Sequence, residues 1–520
     1  MAYTVEHKVG KYIYICRITS YWDKEKKQPR QHREYIGRKD PKTGKVIPYR
    51  SRYTPVMCKH YGATFLLYNI CQSIGLTEIL KEIFPHEWDQ ILACSFYGII
   101  EKRPLYLCQQ WAEITHLGID TSCLASQRIS ELLQSVGNQS GSMLKFSKAW
   151  AKQREEKEYI VFDITSISSY AELIEFVEYG YNRDKENLPQ INLGMLFGYT
   201  SMLPIFYTVY PGSVKDVSTI KNMIAFVEDL ELRNVIYVFD KGFYSECNIS
   251  EMVKNKWKFL ISVPFTVAAA RELVRKYGNE IGKMANSFVV NNNVGYGIIT
   301  KTTIGNKRLT TYLYIDKRKK LQAEEEIIRH LKEIETELAH MKNKRLRAIE
   351  KYFDQHYKGW RDICFIRRKG KQYVFGQHEK GIAEVLAYKG CIIIVSNSSM
   401  KAKEAISLYR DKDIVEKAFD NLKNELDSKR LRVHSTVSMQ GRLFISFISL
   451  IIYSVINKVM KENNLYQSYT FDEVIRELNK ISVVSLAKKI IFTEVTKKQK
   501  ELLKLFELEL QIPSINSAGF

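Results

Sequence analysis

Residues 159–265 alternate short, dense apolar runs with longer helical stretches, and this rhythm restricts the fold more than any other feature of the chain. YIVFDIT (159–165), INLGMLFGY (191–199) and LPIFYTVYPG (203–212) read as three strands. A helical stretch over 217–230 leads into VIYVFD (235–240), a second helix and KFLISVPF (258–265). Runs of this length, rich in β-branched and aromatic residues and bounded by turn formers, are strand signals. Three strands, helix, strand, helix, strand specify an α/β fold built on a mixed sheet. CIIIVSN (391–397) reads as a further strand that brings the chain back to that sheet.

The chain has 520 residues, more than one hydrophobic core accommodates, so several regions are expected. Residues 10–52 begin with an alternating segment (Tyr12, Tyr14, Cys16) and continue into YWDKEKKQPRQHREYIGRKDPKTGK, which suggests strands joined by exposed turns. Residues 59–136 carry helical spacing, for example Leu66, Ile70 and Ile74. Ser126–Gly137 predicts a short amphipathic helix behind a Ser cap, either part of a helix-turn-helix or an ordinary core helix. Residues 266–390 read as an insertion in which strand-like pieces flank one charged helix over 317–352. Its apolar positions include Leu321, Ile328, Leu331, Ile334, Leu338 and Met341, a stripe for packing on its own domain or for a coiled-coil seam. The longest apolar run, Leu443 to Ile456, is 14 residues with three serines, short of a membrane span and suited to a buried helix. The regions expected are a mostly helical, basic N-terminal part (1–150), a core in two parts (151–265 and 391–465), the insertion (266–390) and a helical C-terminal part (466–520).

Lys and Arg total 79 against 58 Asp and Glu, a net charge of +21 that favours a polyanionic partner, nucleic acid or an acidic membrane. Residues 1–52 hold fourteen Lys or Arg and five Asp or Glu. Arg361, Arg367, Arg368, Lys369 and Lys371 form a second basic cluster, either a DNA contact or a solvated loop. The nine cysteines are scattered without a CxxC pair, as in a cytosolic protein with reduced thiols. The first residues lack a signal-peptide pattern. The expected partner is therefore nucleic acid rather than membrane, and the expected location is cytoplasmic.

Asp163 and Asp240 each close an apolar run, where open α/β sheets place their active sites. Taken singly, each reads more readily as a cap on the next turn. Residues 401–430 read as one helix. On an ideal helix Tyr409, Lys412, Glu416 and Lys423 fall within an arc of about 60°. Val415, Ala418, Leu422 and Leu426 occupy the adjoining arc. A glutamate beside a buried stripe, flanked by a phenol and two amines, suits a site for metal and phosphate; a solvated amphipathic face is the plainer alternative.

These residues carry a resemblance. The chain is similar to the DDE transposases of bacterial insertion sequences, in the insertion sequence 4 superfamily and its 1634 group. Their pattern has a first Asp ending a strand, a second Asp followed by a basic residue and Gly, and a helix reading Y-(2)-R-(3)-E-(6)-K. The corresponding stretches here are FDITS at Asp163, FDKGFYSE at Asp240, and Tyr409–Lys412–Glu416–Lys423. GYTSMLPIFYTVYPGSVKDVSTI also resembles the family's second and third core strands and following helix. Lys412 stands where the signature has Arg, which keeps the charge and loses the bidentate fork.

The resemblance implies a ribonuclease-H-like catalytic core interrupted by an insertion. It implies Asp163, Asp240 and Glu416 as catalytic acids ligating two Mg²⁺ ions, for which Mn²⁺ is a substitute. Tyr409, Lys412, Lys423 and Lys241 would contact DNA. The activity implied is cut-and-paste transposition: binding terminal inverted repeats, cleaving the element's ends and joining the 3′-hydroxyls to target DNA. Paired ends imply a homodimer on DNA. A metal-dependent nuclease on the same fold and a catalytically silent DNA-binding regulator are the alternatives.

Overall fold

The computed structural model describes residues 2–23, 27–41, 43–48, 56–152, 158–232, 235–290, 293–304, 306–341, 345–369, 372–426, 429–486 and 489–510. They form two units, one from Met1–Lys59 with Ser482–Val495 and one from His60–Ile481 with Thr496–Leu510.

The first unit is a β structure. Strands β1 (Ala2–Val9), β2 (Tyr12–Asp23), β3 (Gln28–Lys39) and β4 (Val46–Pro48) form an antiparallel sheet in sequence order. Ile15 and Cys16 are both buried, although neighbours on a strand normally face opposite ways. The register between β2 and β3 shifts at this pair, and such a bulge turns consecutive side chains toward one face. Strand β5 (Val56–His60) joins β17 (Ser482–Leu486) and β18 (Lys489–Phe492) in a second small sheet. The region expected to be mostly helical and basic thus separates into parts. Its most basic stretch is a sheet, and its helices belong to the other unit.

Those helices are α1 (Gly62–Ser73), α2 (Leu76–Ile83), α3 (Trp88–Glu101), α4 (Cys108–Glu113), α5 (Ser126–Asn138) and α6 (Ser140–Ala151). They surround α15 (Thr436–Glu462), whose Phe444 ring packs 5.1 Å from both Phe84 and Phe146. At 27 residues α15 is longer than its apolar run suggests, and it is long and apolar enough to cross a membrane, but 78% of its most apolar window is buried in the protein. Ser449 is satisfied inside the core. Ser449 donates to the Ile445 carbonyl at 2.9 Å, and Ser95 on α3 donates to Ile91 at 2.8 Å, so small polar side chains let the two helices approach without orphaned hydroxyls. Helix α5 packs along α15 as a core helix, and it starts after Ala125 with no side-chain cap.

The sheet follows the expected order closely. Strands β6 (Glu158–Ser168), β7 (Gln190–Gly198) and β8 (Pro204–Pro211) form an antiparallel meander. Helix α7 (Asp216–Asp229) leads to β9 (Val235–Phe239), and α8 (Glu246–Lys254) leads to β10 (Lys258–Ser262). β9 runs parallel to β6, and β10 parallel to β9. After α9 (Ala268–Ile281), strands β11 (Ser287–Val290), β12 (Asn293–Ile304) and β13 (Lys307–Ile315) extend the same sheet through β16 (Cys391–Ser396). The result is nine strands in the order β11-β12-β13-β16-β10-β9-β6-β7-β8. The stretch expected as an insertion is therefore divided. β16 pairs with β10 along one edge, and β13 satisfies the backbone groups along its other edge.

Only the remainder of that stretch forms a cluster of its own: α10 (Lys317–Ala339), α11 (Leu346–His356), the hairpin β14 (Cys364–Lys369) and β15 (Gln372–Gln377), and α12 (Glu379–Tyr388). The single helix expected over 317–352 is two helices. Ile327, Leu331, Ile334 and Leu338 of α10 are buried with Ile349 and Phe353 of α11, so the apolar stripe is used internally; Leu321 and Ile328 remain exposed. In the second basic cluster, Arg361 is paired with Asp354 at 2.7 Å and Arg367 lies over the Phe365 ring, while Lys371 is outside the described residues.

The C-terminal stretch of the chain adds α13 (Ala402–Arg410), α14 (Asp413–Asp420), α16 (Phe471–Asn479) and α17 (Lys497–Leu505). The helix expected over 401–430 is not continuous. It breaks at Asp411–Lys412 and ends in a π-helical turn, Asn421–Glu425. A π turn holds more residues per turn than an α-helix, so side chains beyond it leave the arc that ideal geometry assigns.

Between β6 and β7 lies a long connection, residues 169–189, without regular structure but firmly attached to the core. Arg183 pairs with Asp216 at 2.6 Å, Lys423 with Asp184 at 2.7 Å, and Arg430 with Glu186 at 2.8 Å. The Arg430 guanidinium and the Ser168 hydroxyl hold the Glu186 carboxyl well below its ordinary value, at about 2. A carboxyl lowered in the folded state stabilises above its unfolded value of 4.5, and this contribution is lost as pH falls toward 2. Solvent reaches this group, so Glu186→Gln should cost only about 1 kcal/mol at neutral pH. Urea midpoints should show that cost and show it shrinking below pH 4.5.

Candidate active site

Alternation along the strands decides which side chains meet. Ile160, Phe162 and Ile164 of β6, with Val235, Tyr237 and Phe239 of β9, belong to one buried cluster. With a side-chain period of two, Asp163 and the residue after Phe239, Asp240, face the opposite side of the sheet. Helices α13 and α14 pack on that side, against β9, β10, β6 and β7.

The parallel register runs from Glu158–Val235 to Phe162–Phe239. One step further along each chain, just past the last registered pair, are Asp163 and Asp240, close enough for each charge to act on the other. Asp163 does not end its strand, since β6 stays paired with β7 to Ser168. It marks where β9 stops running beside β6. Asp240 leaves β9 in extended conformation and heads the short turn Lys241–Phe243.

Helices α13 and α14 bring the other groups. Tyr409 donates its hydroxyl to Asp240 Oδ1 at 2.7 Å. The Lys412 ammonium lies 3.7 Å from the same oxygen and 3.0 Å from Glu416 Oε1. Both of these contacts to Asp240 are made at Oδ1. Burial opposes the Lys412 charge, but Asp240, Glu416 and Asp163 outweigh it and raise its pKa. Burial likewise pushes the Tyr409 phenol up, with Asp240 adding to it, so this group stays a hydrogen-bond donor. Burial pushes the Asp163 carboxyl up to about 6; Arg183 and Lys412 offset this in part, and the neighbouring Asp240 adds to it.

Not every expected residue joins this group. The Glu416 side chain is 55% exposed and connects to the aspartates through Lys412. Among the described residues, no three His, Cys, Asp or Glu side chains gather to hold a metal ion. Lys423 lies elsewhere. Its side chain is only 7% exposed and its ammonium is bound to Asp184, so the π turn has taken it from the solvent-facing arc into the base of the 169–189 loop. Lys241 is exposed at the rim. A cavity of about 1120 Å³ opens over the site, lined by Asp240, Lys241, Tyr409 and Lys412 together with Tyr181 and Arg271. Tyr181 and the Asp184 and Glu186 anchors were not apparent from the sequence, because nothing in the periodicity of a loop marks a side chain as fixed.

The donor chemistry fits a hard divalent cation. Two carboxylates lie close together, and Mg²⁺ is commonly held by one or two carboxylates with water completing the shell. The site is a cluster of acidic groups with a lysine and a tyrosine, set on a mixed sheet.

A family model described as the transposase DDE domain matches residues 154–452. The match covers more than half of the chain, which therefore belongs to the DDE transposase family: it is a transposase, a DNA-cutting, metal-dependent enzyme whose partner is DNA. Among solved structures the chain is similar to a piggyBac transposase in its synaptic complex with hairpin DNA. That similarity has 11% identity and a TM-score of 0.35, over 80% of this chain and 79% of that chain. No curated protein matches the chain.

Proposed function

We propose that this transposase works by cut-and-paste: it binds the terminal inverted repeats of its element, cleaves DNA at the ends and joins the freed 3′-hydroxyls to target DNA. The observation that carries the reading is the parallel register that sets Asp163 beside Asp240, with Lys412 linking Asp240 to Glu416. The assignment to the insertion sequence 4 superfamily and its 1634 group rests on the FDITS, FDKGFYSE and Tyr–Lys–Glu–Lys motifs. The strand order β8-β7-β6-β9-β10, antiparallel up to β6 and parallel beyond it, supports a ribonuclease-H-like core.

Asp163 and Asp240 would hold Mg²⁺, with Glu416 joining once its carboxylate leaves Lys412. A pair of divalent ions there would supply a more acidic water or 3′-hydroxyl and charge neutralisation at the leaving oxygen. The protein's own groups set the geometry. Tyr409 and Lys412 both meet Asp240 at Oδ1, which orients that carboxylate. Lys412 balances the acids in the absence of substrate, and its ammonium is within reach of a phosphate drawn to them. Lys241 at the cavity rim would meet the DNA backbone. Lys423 acts from behind, by holding the loop through Asp184.

The basic β unit at the N-terminus, with the helices after it in the chain, would bind the element's ends, and the cluster around α10 and α11 would shape the DNA near the cut. The enzyme would act as a homodimer on paired ends, at the nucleoid of a bacterial cytoplasm. The test is cleavage of a plasmid carrying the element's own ends, with Mg²⁺, by wild type and Glu416→Gln. End cuts and joined products that fall about a hundredfold or more in the variant would support the reading, on the scale expected when one group stabilising the transition state is lost. Cutting without joining would make the protein a nuclease, and equal activity would remove Glu416 from the site.

A further inference from the structure

Strands β2 and β3 outlast the sheet they belong to. β1 pairs with β2 only as far as Thr19, and β4 pairs with β3 only over 37–39. β2 and β3 stay paired with each other to Asp23 and Gln28. Residues 20–23 and 28–31 thus form a two-stranded ribbon, with no third strand on either side among the described residues. All of its side chains are exposed except Asp23, which is half-buried. A two-stranded hairpin without a core is marginal in water, yet this one carries Tyr21 and Trp22, which are 50% and 61% exposed.

Residues directly opposite in an antiparallel pair share a face, and alternation sorts the ribbon into two. Tyr21 is opposite Arg30 and Thr19 opposite His32, and these four make one face. Trp22 opposite Pro29 and Ser20 opposite Gln31 make the other. The first face gathers a phenol, a hydroxyl, an imidazole and a guanidinium, all groups that hydrogen-bond. Arg30 is also oriented there, since its Nε lies 3.3 Å from Oδ2 of Asp23 on the same face. In an arginine held at Nε, the fork of Nη amines is the part that meets the O6 and N7 acceptors of guanine. The strands of a ribbon lie about 5 Å apart, and the B-DNA major groove, about 12 Å wide, admits one. The surplus of Lys and Arg over residues 1–52 draws the same polyanion.

We infer that the free end of the β2–β3 ribbon enters the major groove of the element's terminal repeats and reads base edges with its Tyr21–Arg30 face. This inference rests on the reading that the basic β unit binds those ends, and it names the element that gives the binding its sequence preference. Arg30 reads a purine edge, Asp23 positions Arg30, and the Trp22 face stays outside the groove.

The test uses the full chain in EDTA and two duplexes, one with the element's terminal repeat and one with the same bases scrambled. Wild type should prefer the repeat. Arg30→Ala should bind the repeat about ten- to a hundredfold more weakly, with little change on the scrambled duplex. Replacing guanine by 7-deazaguanine in the repeat should weaken wild type and leave Arg30→Ala unaffected. Trp22→Ala should keep the preference, and both variants should melt with wild type, since the side chains are exposed. A preference retained in Arg30→Ala, or equal weakening on both duplexes, would overturn the inference and leave the end-binding reading intact. A wild-type protein that binds both duplexes equally, or neither, would overturn both.

Discussion

Asp240→Asn is expected to reduce DNA cleavage by about a thousandfold or more, the scale of losing a group that stabilises charge in the transition state, without lowering the stability of the fold. The asparagine retains an oxygen to accept the Tyr409 hydroxyl, and Lys412 retains Glu416 as a partner. Only the charge beside Asp163 disappears. Asp163→Asn should lose cleavage similarly and melt no lower than wild type. Its carboxyl is raised from 3.8 to about 6 in the folded protein, so the folded state binds the proton more tightly than the unfolded chain. Stability is then fully present below 3.8 and falls as pH rises through about 6, where the desolvated group must ionise. At neutral pH that ionisation costs at most about 3 kcal/mol, which the neutral amide avoids. Melting in chelator and cleavage in Mg²⁺, measured on the same preparations, separate the two effects. Loss of activity together with stability would make the aspartates structural, and full activity in Asp240→Asn would place the chemistry elsewhere.

Lys423→Met should destabilise the protein by about 2–4 kcal/mol, because removing one member of a buried ion pair leaves the other without compensation. The Lys423 side chain is 7% exposed and that of Asp184 29%, so the aspartate retains some water and the cost falls toward the lower part of the range. Asp184→Asn in the same chain should recover most of the loss, since a neutral partner needs no cation. Urea midpoints of the two single variants and the double variant measure the coupling directly. A phosphate-gripping lysine would behave differently: its removal would weaken DNA binding at unchanged stability, and Asp184→Asn would not rescue it. The motif places Lys423 among the DNA contacts, and the geometry gives it the 169–189 loop.

Much of the core was legible because strand signals are local. YIVFDIT, INLGMLFGY, LPIFYTVYPG, VIYVFD and KFLISVPF each carry an apolar run of strand length bounded by turn residues, and each corresponds to one strand of the sheet. The continuous helix over 401–430 was not legible as a broken one. Nothing in DKDIVEKAFDNLKNE forbids an ideal helix, and the break and the π turn arise where Lys412 and Lys423 find partners on other elements. β11, β12 and β13 were placed outside the core for a related reason, since a strand's composition does not reveal which edge it will join.

By itself the sequence determined the strands and their faces, because alternation is set by the covalent geometry of an extended chain. It also determined that acids follow apolar runs and that the N-terminal stretch is basic. Only the tertiary structure decided that Asp163 and Asp240 are neighbours, because this depends on the pairing of β6 with β9 from distant parts of the chain. It likewise decided that Lys412 joins the acids while Lys423 turns inward. These outcomes depend on which groups remain unpaired once the core has formed, and a one-dimensional pattern does not contain that information.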